Sequence, residues 1–132
     1  MTFGHEKLDV YRLSLDSVAL VYQLAERLDG KSRHARDQLL RASQSIPLNI
    51  AEDNGKVTAA DRRRFFEIAR GSTLECAAIE DVLFVAEVTS ESENVRAKEI
   101  LNRIAAMLTR LGGRGYSVKD LESTYDDEAI TR

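Results

Sequence analysis

The stretch Asp37-Gln38-Leu39-Leu40-Arg41-Ala42-Ser43-Gln44-Ser45-Ile46-Pro47-Leu48-Asn49-Ile50-Ala51-Glu52 sets Leu39, Ala42, Ile46 and Ile50 three and four positions apart. That is the spacing of one apolar face of an α-helix. Pro47 falls inside the pattern, where its ring removes one backbone hydrogen bond and crowds the Ser43 carbonyl. Because the apolar period continues in phase beyond it, a kink is expected there and not a break. The reading predicts a helix over residues 33–52.

The same period extends to both sides. Leu8, Tyr11, Leu15, Val18, Tyr22 and Ala25 predict a first helix over 6–28, ended by Asp29-Gly30-Lys31-Ser32 with Gly30 as its left-handed C-terminal residue. After the turn Asp53-Asn54-Gly55-Lys56, Thr58 reads as an N-cap with Asp61 as capping-box partner. Phe65, Ala69, Ser72, Cys76, Ile79, Leu83 and Ala86 then mark a third helix over 59–88. Thr89-Ser90-Glu91-Ser92 breaks it, and Ile100/Leu101, Ile104, Leu108 and Leu111 mark a fourth over 93–111, stopped by Gly112-Gly113-Arg114-Gly115. Four amphipathic helices joined by short breaks make antiparallel neighbours. The expected fold is an all-α, up-down-up-down four-helix bundle over residues 1–113, followed by a short, acidic, mobile tail over 114–132.

Composition agrees with one soluble domain. The chain has 132 residues, 43% of them hydrophobic and 31% charged, which places it among globular and not disordered sequences. A single cysteine, Cys76, excludes an internal disulfide and suits a reducing cytoplasm. Neither a signal-peptide pattern nor a membrane-spanning apolar run is present, so no membrane partner is expected. The net charge of −3 argues against indiscriminate nucleic-acid binding, yet residues 31–70 hold nine Lys/Arg against five Asp/Glu, a basic island in an acidic chain.

Familiar chemistry fails on spacing. A di-iron bundle needs Glu-x-x-His on two helices, and neither His5 nor His34 has a Glu three residues before it. An EF-hand with Gly55 at its sixth position would start on Ile50, which offers no oxygen, and end on Asp61, shorter than the bidentate Glu it requires. Gly55-Lys56-Val57-Thr58 lacks the upstream glycine and strand of a phosphate loop. Cys76 sits on an apolar stripe with no histidine nearby to activate it, as a buried structural thiol would. No catalytic, cofactor or metal residue is expected.

A polar stripe on the second helix stands out. Gln38, Arg41, Ser45, Asn49 and Glu52 fall in one sector beside the apolar face. A helix two–three turn centred on 54–57 sets Arg41 opposite Ser72 and Gln38 opposite Glu75. Gln38, Arg41, Ser45, Asn49, Ser72 and Glu75 are therefore expected to form a largely buried structural network, with Arg41 within ion-pair reach of Glu75. Were the pair buried, removing one partner would cost about 3–5 kcal/mol.

These residues also carry a resemblance. The run 37–52 is similar to the signature of the 23S rRNA intervening-sequence proteins, the small bacterial four helix bundle proteins. Phe66-Glu67-Ile68-Ala69-Arg70-Gly71-Ser72-Thr73-Leu74-Glu75 resembles that family's second block, and Leu8-x-Val10-Tyr11 its opening. The resemblance covers residues 5–111; one departure is Asp53, where the family usually has Gly. It implies a bundle without known catalysis, often assembled as a ring-shaped homopentamer. It also implies kinship with the accessory bundle of diversity-generating retroelements, which is thought to bind nucleic acid and protein.

The functional expectation is a non-catalytic oligomeric binding module, associated with RNA or DNA through a basic bundle end at Lys56, Arg62, Arg63 and Arg64. The alternative is a structural adaptor that binds only another protein; a small enzyme comes third. Three arginines at a helix N-terminus oppose the helix dipole and so want a reason other than helix stability.

Overall fold

Leu39, Ala42, Ile46 and Ile50 are all buried, and the helix that carries them runs unbroken through Pro47. The computed structural model describes residues 4–54 and 58–113. It comprises α1 (Asp9–Ala25), α2 (Arg33–Asn54), α3 (Ala59–Val85) and α4 (Glu91–Gly113), with short 3-10 turns at Gly4–Lys7 and Gly30–Ser32. No strand occurs among the described residues. Each helix packs on its neighbours in sequence, and α4 closes the ring on α1. Side-chain links fix the antiparallel order: Arg70 reaches Thr109 and, further along α3, Asp81 reaches Lys98, earlier on α4. This is the expected up-down-up-down bundle. The expected mobile tail and its boundary fall outside the described residues.

The core is filled along these seams by Leu39, Ile46 and Ile50 of α2, Ala69, Cys76 and Leu83 of α3, and Leu101, Ile104 and Leu108 of α4. Each fully buried Leu or Ile stabilises the fold by about 1.5–3 kcal/mol through lost apolar hydration.

Helix ends follow local chemistry. Thr58 Oγ1 accepts the Asp61 N–H at 3.1 Å, the expected cap of α3. The end of α3 is a Schellman turn, in which the Val88 N–H donates to the Leu83 carbonyl and the Glu87 N–H to the Phe84 carbonyl, both at 2.9 Å. Glu87 takes φ +62° to close it, at a cost of about 1 kcal/mol relative to glycine. The fourth helix starts two residues earlier than expected because Ser90 and Glu93 form a full capping box. Ser90 Oγ accepts from the Glu93 N–H at 3.1 Å, and Glu93 Oε1 accepts from the Ser90 N–H at 2.8 Å.

The first helix departs from its reading. It spans Asp9–Ala25 and buries Val10, Ser14, Ser17 and Val21, whereas Leu15 and Tyr22 of the expected stripe are 43% and 52% exposed. Apolar residues also occupy Leu13, Leu20 and Leu24, so the period on this helix has no unique phase. Small serines on the inner face let α1 approach closely, and Ser14 satisfies its hydroxyl on the Tyr11 carbonyl at 2.6 Å. Gly30 is left-handed, φ +52°, but opens the second 3-10 turn instead of ending α1.

Candidate functional site

Two regions collect polar side chains: the α2–α3 seam with the bundle end above it, and the opposite end where α1, α3 and α4 meet.

Along the seam, Ser45 Oγ accepts from Ser72 Oγ and from Asn49 Nδ2, each at 2.9 Å, and Asn49 also donates to the Ser45 carbonyl at 2.8 Å. One turn away Arg41 Nη2 stands 3.8 Å from Glu75 Oε2. Ser45 thus faces Ser72 and Arg41 faces Glu75, a register displaced by about one helical turn from the expected pairing of Arg41 with Ser72 and Gln38 with Glu75. Burial also differs from expectation. Ser45, Asn49, Ser72 and Gln38 are half-buried, while the Arg41 and Glu75 side chains are 76% and 45% exposed. An ion pair in that setting is a surface pair of small net worth.

At the seam's end, Arg62, Arg63 and Arg64 are all exposed in the first turns of α3. Successive helical residues fan by ~100° each, so at most two of the three point the same way. The Arg64 guanidinium carbon lies 5.8 Å from the centre of the Phe65 ring. Lys56, the fourth residue expected here, lies outside the described residues. Beneath the arginines Asp53 is buried, and its Oδ1 finds no hydrogen-bond partner. Burial pushes its carboxyl up to about 7, against the pull of the Arg62 charge.

The opposite end holds polar groups outside every sequence-predicted site. Glu80 is 4% exposed and lines a cleft of about 200 Å³ with Leu20, Leu24, Arg27, Glu93 and Arg96. Desolvation first, then the negative charges of Glu93 and Asp81, push its carboxyl up to about 7. Across the cleft mouth Arg27 Nη2 donates to Glu93 Oε1 at 2.7 Å and to the Val88 carbonyl at 3.3 Å. The Arg27 hydrogen bond, with the Ser90 cap, holds Glu93 down at about 2. A signal for Glu80 existed: it stands four residues after Cys76 and three before Leu83, on the apolar stripe itself.

Cys76 is buried, and desolvation, then the charges of Glu75 and Glu80, push its thiol up to about 12, so it stays protonated. Among the described residues no three His, Cys, Asp or Glu side chains converge as a metal site requires. Among the described residues no helix is long and apolar enough to cross a membrane. A groove of about 420 Å³ runs between α3 and α4, lined by Leu74, Ala77, Val95, Leu101 and Ala105 among others.

The sequence profile of the 23S rRNA-intervening sequence proteins matches residues 6–110. No curated protein matches the chain. A solved structure from Bacteroides thetaiotaomicron, a protein of unknown function from the S23 ribosomal protein family, shares the fold. Its TM-score is 0.75 at 21% identity, and the match covers 80% of this chain and 99% of that one.

Proposed function

We propose that this chain, which belongs to the 23S rRNA-intervening sequence protein family, is a non-catalytic, cytoplasmic binding module that meets nucleic acid through its basic bundle end. The observation that carries the reading is the exposure of Arg62, Arg63 and Arg64 in consecutive positions above the Thr58 cap. Their charge opposes the α3 dipole and gains nothing from it, whereas phosphate contacts would use all of it. Arg62 is the strongest candidate for contact, together with Lys56, which precedes α3 in the sequence.

Oligomerisation completes the proposal. A homopentamer would repeat the basic end five times around a ring, so that individually weak phosphate contacts act together. Apolar surface on several helices favours assembly: Leu15 and Tyr22 on α1, Leu48 on α2, and Leu74 and Val85 on α3 are all exposed. The apolar α3–α4 groove supports a second reading, a structural adaptor that takes only protein partners.

A salt titration of RNA binding separates them. Each phosphate contact should contribute about −0.7 to −0.9 to the slope of log affinity against log salt. Arg62→Glu/Arg63→Glu/Arg64→Glu should lose most of that slope. Undiminished binding in the variant removes this end from the site, and no binding by the parent at low salt leaves the adaptor. Light scattering that gives a monomer at micromolar concentration sinks the ring.

A further inference from the structure

Glu80 is a carboxylate with no settled partner in a place where one is needed. Several donors around its cleft are committed elsewhere. Arg27 gives its hydrogen bonds to Glu93 and the Val88 carbonyl. Asn94 donates to the Glu80 backbone carbonyl and to Asp81, not to the Glu80 carboxyl. Lys98 is bound to Asp81 at 2.9 Å. Arg96 from α4 and Gln23 from α1 line the cleft as well. From α2, the seam register brings Arg36 and Asp37 level with Glu80, and these two pair with each other at 3.0 Å. Cys76, one turn back on α3, keeps its proton. Nearby, Thr89 also buries a hydroxyl without a hydrogen-bond partner, so polar groups at this end are poorly satisfied.

We propose that the α1–α3–α4 cleft is a proton-linked latch. With Glu80 neutral, the end of α1 stays clamped to the first turn of α4 through Arg27 and Glu93; with Glu80 ionised, the clamp gives way. The reason is charge placement. An ionised Glu80 adds a third carboxylate beside Glu93 and Asp81, inside a cleft lined by Leu20, Leu24 and Ala97 together with Gln23, Arg27 and Arg96. Two responses that relieve it are entry of water into the cleft and a turn of Arg27 from Glu93 towards Glu80. Either one loosens the contact that ties α1 to α4, and Glu93 also holds the cap of α4. The titration, centred near neutrality, would place the two states within reach of ordinary changes in pH. The latch does not depend on what the basic end binds.

Two measurements test it. Carbon-13 NMR titration of the Glu80 carboxyl in the native chain should give a midpoint near 7; a midpoint in the ordinary glutamate range would overturn the proposal without any variant. Hydrogen exchange, corrected for its intrinsic base catalysis, should show amides 25–28 and 91–94 losing protection by roughly tenfold to a hundredfold between pH 6 and 8.5. Glu80→Gln should keep its protection across that range. Loss of equal size in the variant, or none in the native chain, would overturn the latch.

Discussion

The α2–α3 seam and the α1–α3–α4 cleft are built from the same side-chain types, yet they differ in consequence. The seam offers an arginine–glutamate pair open to water and a string of half-buried small polar groups. The cleft also has an arginine–glutamate pair at its surface, but behind it lies Glu80, almost wholly removed from solvent. An ion pair gains little where water screens it, whereas an enclosed carboxyl without an ion-pair partner carries a heavy desolvation penalty. The comparison teaches that the address of a charge, more than its having a partner, sets its energetic weight.

The largest expected effect belongs to the cleft. Glu80 is raised from the ordinary 4.5 to about 7 in the folded chain, so the folded state holds its proton more tightly than the unfolded. Its contribution to stability is therefore complete below pH 4.5 and is lost as pH rises through 7. Glu80→Gln, a mimic of the neutral form, should stabilise the chain by about 2–3 kcal/mol at pH 8 and hardly at all near pH 4.5, read from urea melts at the two pH values. A variant no more stable than the parent at pH 8 would erase the distinction between the two regions.

Next comes Glu93→Ala, which removes the capping-box acceptor and the Arg27 partner together. The carboxyl is partly exposed, so the expected loss is about 1–2 kcal/mol, most of it from the cap. It should fade at high salt only in its ion-pair part.

On the seam, Ser45→Ala breaks the hydrogen bonds from Ser72 and Asn49 at half-buried positions. A loss of about 0.5–1.5 kcal/mol in thermal or urea unfolding is expected. Arg41→Ala is the smallest. With its side chain 76% exposed, the change should stay under about 0.5 kcal/mol. A loss several times larger would mean that another copy of the chain covers this seam in solution, which would sharpen the case for assembly.

How much could be read beforehand follows the same physics. In α2, polar and apolar residues separate cleanly around the helix, so Leu39, Ala42, Ile46 and Ile50 announced both the helix and its buried face. In α1, apolar residues surround the helix, and period alone could not choose between the stripe through Leu15 and Tyr22 and the one through Val10 and Val21. Ser14 and Ser17 decided it, because they are small enough to be enclosed. The arginines of the basic end were legible as charge and their exposure followed from position. The Arg41–Glu75 pairing was legible from helical spacing, but its register and exposure were not.

The amino-acid order by itself determined four helices, the Thr58 cap and the family, because these depend on local propensity and on residues a few positions apart. Only the tertiary structure decided which face of α1 is inside, that the seam pair stays wet, and that Glu80 is enclosed by α1 and α4. Burial is a property of the assembled helices: a carboxylate on an apolar stripe becomes a desolvated charge only when residues more than fifty positions away close over it.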